Sequence, residues 1–170
     1  MEISEIISLS IALVAVAISL ATLRQSRNMV EESTRPNIVA YVTTTNFQSW
    51  STYVVIKNFG QTGAQITRFN TEPDLLTYSY SQNHRPFGKI ENSFLAPGQS
   101  HICSIDSKLI HENYNVLFEI EYKTKFKTYT ESINVNLIGE NDNISARAST
   151  KDCELEIISF TLQDLVEKQL

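Results

Sequence analysis

Cysteine is scarce in this chain, with only Cys103 and Cys153 in 170 residues. They lack both the close paired spacing of a zinc site and the density of a secreted disulfide scaffold, and they fit a reducing compartment. Catalytic signatures are missing as well. There is no Gly-x-Ser-x-Gly elbow, no cysteine-nucleophile motif and no glycine-rich phosphate loop, so nothing in the spacing argues for nucleophilic or nucleotide chemistry. A basic excess is also lacking. Fourteen Lys and Arg stand against nineteen Asp and Glu, a formal charge of −5, which argues against a nucleic-acid binder with a large basic surface. Charged residues amount to 19% and hydrophobic residues to 42%, a balance that excludes a disordered chain.

The most informative absence is local. Residues 6–23, IISLSIALVAVAISLATL, contain no charge. As a helix they span about 27 Å, close to the hydrocarbon thickness of a bilayer. A transmembrane helix is expected here. The first five residues carry Glu2 and Glu5 and no Lys or Arg. That front differs from the basic n-region of a signal peptide, and the apolar run exceeds the usual h-region, so a retained anchor is expected. Arg24, Arg27 and Arg35 follow the span. Because Lys and Arg in short flanks stay in the cytoplasm, the expected topology is single-pass, with the amino terminus outside and the large C-terminal domain inside. Ser8, Ala12, Ala15 and Ser19 line one helix face. Such a face admits another helix closely, as in a homo-oligomer, although membrane-helix composition alone also yields it.

Residues 24–36 continue the helix as a juxtamembrane segment, and Pro36 ends it because the residue before proline is pushed out of the α region. From Asn37 the apolar period changes to two, which predicts a β domain over residues 37–138. Strands are expected at 37–45, 52–58, 64–71, 90–95, 100–106, 116–123 and 127–137. Residues 58–63, NFGQTG, predict a hairpin turn, and Trp50 is expected to pack on the end of the core. About seven strands at short spacing indicate an immunoglobulin or fibronectin III-like antiparallel β-sandwich, making the chain mainly β. Residues 72–87 lose all alternation and carry Tyr78, Tyr80 and His84. This segment is either a crossover covering the core edge or a recognition loop. A linker over 139–150 leads to an amphipathic helix over 151–170. Its stripe of Leu155, Ile158, Leu162 and Leu165 is expected to dock on the sandwich, with another copy or a partner as alternatives.

Three stretches carry a family resemblance. Residues 35–39 (RPNIV), 54–64 (VVIKNFGQTGA) and 95–100 (LAPGQS) resemble a group of small bacterial proteins, many from Gram-positive organisms and often in mobile-element neighbourhoods. The resemblance implies one amino-terminal membrane helix and a β-sandwich. It supplies no catalytic residue and no cofactor.

A metal site can be drawn from His101, Cys103, Asp106 and His111, but no repeated His or Cys pair completes a tetrahedron, so neither metal nor cofactor is expected. Lys123, Lys125 and Lys127 crowd the last hairpin, either as a solvated tip or as a lipid-facing one. The function expected is that of a non-enzymatic interaction module anchored in the bilayer, presenting its sandwich to a protein partner at the cytoplasmic surface. Expected partners are the lipid bilayer, an unidentified protein and a second copy, with no nucleic acid. The alternatives are an extracytoplasmic envelope or adhesion domain with opposite topology and a metal-dependent hydrolase.

Overall fold

The computed structural model describes residues 3–46, 50–110, 114–125, 127–139 and 153–167, without the side chains of Asn46, Trp50, Asp164, Val166 and Glu167. The expectations for Trp50 and His111 fall outside this set. The chain forms two units, Met1–Arg35 and Pro36–Leu170. The first is a single helix, α1 (Ile3–Thr34), with no buried residue. It lacks Gly and Pro along its length and stops two residues before Pro36, whose ring disfavours helical backbone at the residue preceding it.

Among the described residues the second unit holds seven strands in two antiparallel sheets and a helix, α2 (Cys153–Glu167). The strands are β1 (Ile38–Asn46), β2 (Trp50–Asn58), β3 (Ala64–Glu72), β4 (Phe94–Leu95), β5 (Ser100–Ile105), β6 (Asn115–Lys123) and β7 (Thr128–Asn136). One sheet has the order β1-β2-β5 and the other β4-β3-β6-β7. Alternation decides what faces inward. Ile38, Ala40 and Val42 of β1 stand opposite Asn58, Ile56 and Val54 of β2, and all six are buried. From the other sheet Val116, Phe118, Ile120 and Tyr122 fill the same core. Val55 faces the other side of its sheet and is buried too, as the apolar centre of β2 predicts for a middle strand.

In β3 the inward row changes parity. Ile66 pairs with Tyr122 and Arg68 with Glu121, so Thr67 is the extra residue of a bulge. The bulge lets Ala64 and Ile66 face inward before it and Phe69 and Thr71 after it. Thr67 Oγ1 donates to the Glu121 main-chain oxygen at 3.1 Å, which fixes the bulge.

The expected hairpin at residues 58–63 is not one, because β2 and β3 belong to different sheets. The turn is a corner between them, and Asn58 is the reason. Its Oδ1 accepts from the Asn37 N–H at 3.1 Å and the Gly60 N–H at 2.9 Å. Its Nδ2 donates to the Thr62 carbonyl at 2.8 Å and the Leu95 carbonyl at 3.2 Å. The last of these bonds crosses to the second sheet. The Asn58 main chain binds the neighbouring turn, accepting from Gly98 N–H and donating to the Gln99 carbonyl. Gly98 has φ +73°, and the Gln99 N–H returns to the Ala96 carbonyl, a type II turn with Pro97 and Gly98 at its centre. Nearby, Tyr122 Oη lies 3.2 Å from the Pro36 carbonyl oxygen and 3.1 Å from Glu131 Oε1, one proton shared between two acceptors.

The opposite end is built differently. After β3, a 3₁₀ turn (Leu75–Tyr78) is capped by Asp74, whose carboxylate accepts from Leu76 N–H. Residues 79–93 then run on without regular structure to β4. The short strand expected over 90–95 is confined to Phe94–Leu95, while Ile90 is buried in a turn. α2 lies against β1.

Candidate functional site

The first candidate is the surface of α1. Between residues 6 and 23 ten large apolar side chains are 48–65% exposed. At about 1.5–3 kcal/mol for full burial of each, roughly 10 kcal/mol of transfer free energy is unrealised in water, comparable to the net stability of a typical domain. The helix is long and apolar enough to cross a membrane. Its polar atoms do not oppose this. Ser8, Ser10, Ser19 and Thr22 each donate their hydroxyl to the carbonyl four residues earlier, at 2.8–2.9 Å, so none of these hydroxyls needs water as its acceptor. Ser8 and Ser19 flank Ala12 and Ala15 on the small-residue face, and Arg24 and Arg27 lie exposed on the turns beyond.

The second candidate is a groove of about 710 Å³ beside β5, between residues 83–90 and 101–103. Phe87 lines it with φ 57°, a left-handed conformation costly for a bulky residue. Packing holds it there, with its ring 5.8 Å from Phe69, itself against Phe118 of the core. Arg85 at the groove mouth pairs with Asp74 at 3.0 Å. Across the groove His101 and Cys103 share the inward face of β5, opposite Ile56 and Val54. The His101 Nε2 atom is buried and has no hydrogen-bond partner. Burial raises the Cys103 thiol above its ordinary pKa, only partly offset by a hydrogen bond from the Phe87 main chain. A protonated thiol is a weak nucleophile and a weak ligand. Among the described residues no three His, Cys, Asp or Glu side chains gather into a metal-binding group.

The residues expected at a partner surface separate. Tyr78 is 2% exposed and belongs to the core, because the 3₁₀ turn rolls it inward and its carbonyl accepts from Asp106 N–H. It is therefore removed from the partner surface. Tyr80, two residues on, is 60% exposed. Partial burial of its hydroxyl, then Asp106 and Tyr53 beside it, raises its phenol above the ordinary value. His84 is exposed, and its carbonyl accepts from Ser79 Oγ at 2.8 Å, which closes the loop. On α2 the stripe Leu155, Ile158, Leu162 and Leu165 remains 54–57% exposed, contrary to the expected docking. The helix carries a second apolar row, Ile157 and Phe160, and that row is half-buried. Heptad counting sees one row only.

Two residues central to the architecture escaped that reading. Asn58 resembles any turn asparagine in sequence, and its burial between two acidic-free turns becomes visible only when β2 and β3 part company. Glu131 interrupts the apolar row of β7 and is half-buried, turned onto Tyr122.

The three stretches that carried the family resemblance meet at the Asn58 corner: Asn37, residues 58–64 and the 95–99 turn are linked through this one side chain. A family model described as a domain of unknown function, DUF8453, matches residues 3–138. The chain belongs to the DUF8453 family. The matched span takes in α1 and all seven strands and ends before α2. No curated protein matches the chain.

Proposed function

We propose that this DUF8453 protein is a single-pass membrane-anchored interaction module whose sandwich is presented to a protein partner on the cytoplasmic side. The observation that carries the reading is the uncovered, charge-free stretch of α1, whose exposed apolar surface demands a non-aqueous surrounding. The orientation rests on Arg24, Arg27 and Arg35, since Glu31 and Glu32 count little in setting topology. The module is a fibronectin III-like sandwich in this reading, supported by the strand order: the fourth strand joins the third instead of extending the β1-β2-β5 sheet. Partner recognition falls to the exposed loop bearing Tyr80 and His84 and to the adjoining groove. The protonated Cys103 and the scattered His and Asp side chains favour binding over catalysis.

Thiol labelling tests both anchor and orientation, and Cys153 is the better probe because it is exposed while Cys103 is half-buried. In a Cys103→Ser variant that resists carbonate extraction from membranes, an impermeant maleimide labels Cys153 only after the cells are permeabilised. Labelling of intact cells would instead establish the envelope or adhesion topology. Recovery of the unmodified chain in the soluble fraction would end the anchor reading altogether.

A further inference from the structure

The two ends of the sandwich differ in charge, and the difference follows the chain's entry point. The register puts the start of β1 beside the end of β2 and the start of β5, and the start of β3 beside the end of β6 and the start of β7. Asn58 and Tyr122 join these two sets at Pro36. Residues 36–39, 57–65, 93–101, 122–125 and 127–130 therefore share one end, where the sandwich begins. These segments contain Lys57, Lys123, Lys125 and Lys127 and not one Asp or Glu, in a chain with a formal charge of −5. Two carboxylates border these segments: Glu131 is turned inward to the Tyr122 hydroxyl, and Glu121, opposite Thr130, accepts from Thr67 Oγ1 at 2.9 Å. Aromatic surface accompanies the cations. Phe59 is 55% exposed with Lys57 Nζ 5.0 Å from its ring centroid, and Phe94 is 60% exposed.

We infer that this end is a binding surface for anionic lipid headgroups, which holds the sandwich down on the membrane that anchors it. The inference rests on the anchor reading above. Charge complementarity selects the occupant, since a cytoplasmic leaflet is negative and attracts juxtamembrane cations, and half-exposed aromatic rings suit the interfacial zone. The distances also allow it. α1 continues eleven residues past Leu23, about 16 Å at 1.5 Å per residue. The interfacial layer accounts for roughly 5–8 Å of that, which leaves a gap near the screening length of about 8–10 Å at physiological salt. Attraction is felt across such a gap, and tilting of the helix narrows it. Glu31 and Glu32 on the last turn of α1 oppose the attraction, two carboxylates against the four lysines of the sandwich end.

The test uses the full chain in lipid nanodiscs, with Cys103→Ser and Cys153→Ser, a donor dye on Gln61→Cys at this end, and an acceptor on the lipid headgroups. Nanodiscs of phosphatidylcholine alone are compared with nanodiscs also containing phosphatidylglycerol. Energy transfer is expected to rise with the anionic lipid, to fall in high salt, and to fall again in Lys57→Ser, Lys123→Ser and Lys127→Ser, each weakening the docked population about fivefold. The same dye on Thr77→Cys, exposed on the 3₁₀ turn that follows the far end of β3, should not follow this pattern. Transfer that is equal in both lipids and indifferent to the lysine substitutions would overturn the inference. Abolition of the rise by millimolar inorganic phosphate would overturn it in favour of a small-anion site. A chain that does not co-migrate with either nanodisc would refute the anchor instead, so the two failures are distinguishable.

Discussion

The end of the sandwich at Pro36 and the end formed by residues 72–90 are made from the same kind of chain, and they resolve their polar backbone in opposite ways. At the Pro36 end, tight turns leave few main-chain groups to satisfy. One buried asparagine fills all four of its hydrogen-bonding positions, and a type II turn and a tyrosine hydroxyl complete the closure. At the other end a long irregular segment satisfies itself largely locally, through the Asp74 cap and the Ser79 hydroxyl, with the Asp106 N–H on the Tyr78 carbonyl. Tyr80 and His84 are left in solvent. The buried hydrogen bonds of the Pro36 end centre on one side chain that ties separate segments together, whereas those of the other end stay within its own loop.

Substitutions should expose this asymmetry. The largest effect is expected from Asn58→Ala, which strips partners from two N–H and two carbonyl groups in partly or fully buried positions, a loss of about 2–4 kcal/mol. Urea unfolding of the detergent-solubilised chain measures it. Asn58→Asp keeps the acceptors, loses the donors and should recover little. Next comes Tyr122→Phe, which retains the core ring stacked on Tyr129 but leaves Pro36 and Glu131 without the shared proton, at about 1–2 kcal/mol. Alkaline pH acts more weakly through Cys103. The folded thiol holds its proton to higher pH than the unfolded one. Its contribution is therefore complete below the unfolded pKa of about 8.5 and is lost as pH rises through the folded value. Cys103→Ala should flatten the decline in stability above that pH. The smallest effect is expected from Tyr80→Ala with His84→Ala, within about 0.5 kcal/mol of wild type. An unfolding midpoint that fell as far as that of Asn58→Ala would erase the contrast between the ends.

Much of the framework was legible before any coordinates. A charge-free run of bilayer length and a proline behind it define α1 almost without alternatives. The alternation of Val116, Phe118, Ile120 and Tyr122 defines β6 and its buried face, since a period of two has only one inward row. The errors have physical causes as well. The corner at Asn58 read as a hairpin because glycine and asparagine report that a chain turns, not which sheet receives it. For Tyr78 the sequence leaves core cover and recognition loop both open, because an irregular segment has no period from which to infer a face. The α2 stripe read as buried because the competing row of Ile157 and Phe160 is shorter in sequence yet is the one lying toward the sandwich.

The sequence by itself determined the apolar helix, the strand count and the inward rows, because periodicity and hydration act locally along the chain. Only the tertiary structure decided that the fourth strand joins the third, that one asparagine ties three segments together, and that four scattered lysines and two phenylalanines share the end where the sandwich begins. Those are facts of register and sheet assignment. They come from contacts between segments up to 86 residues apart, as for Tyr122 and Pro36, and no local pattern encodes them.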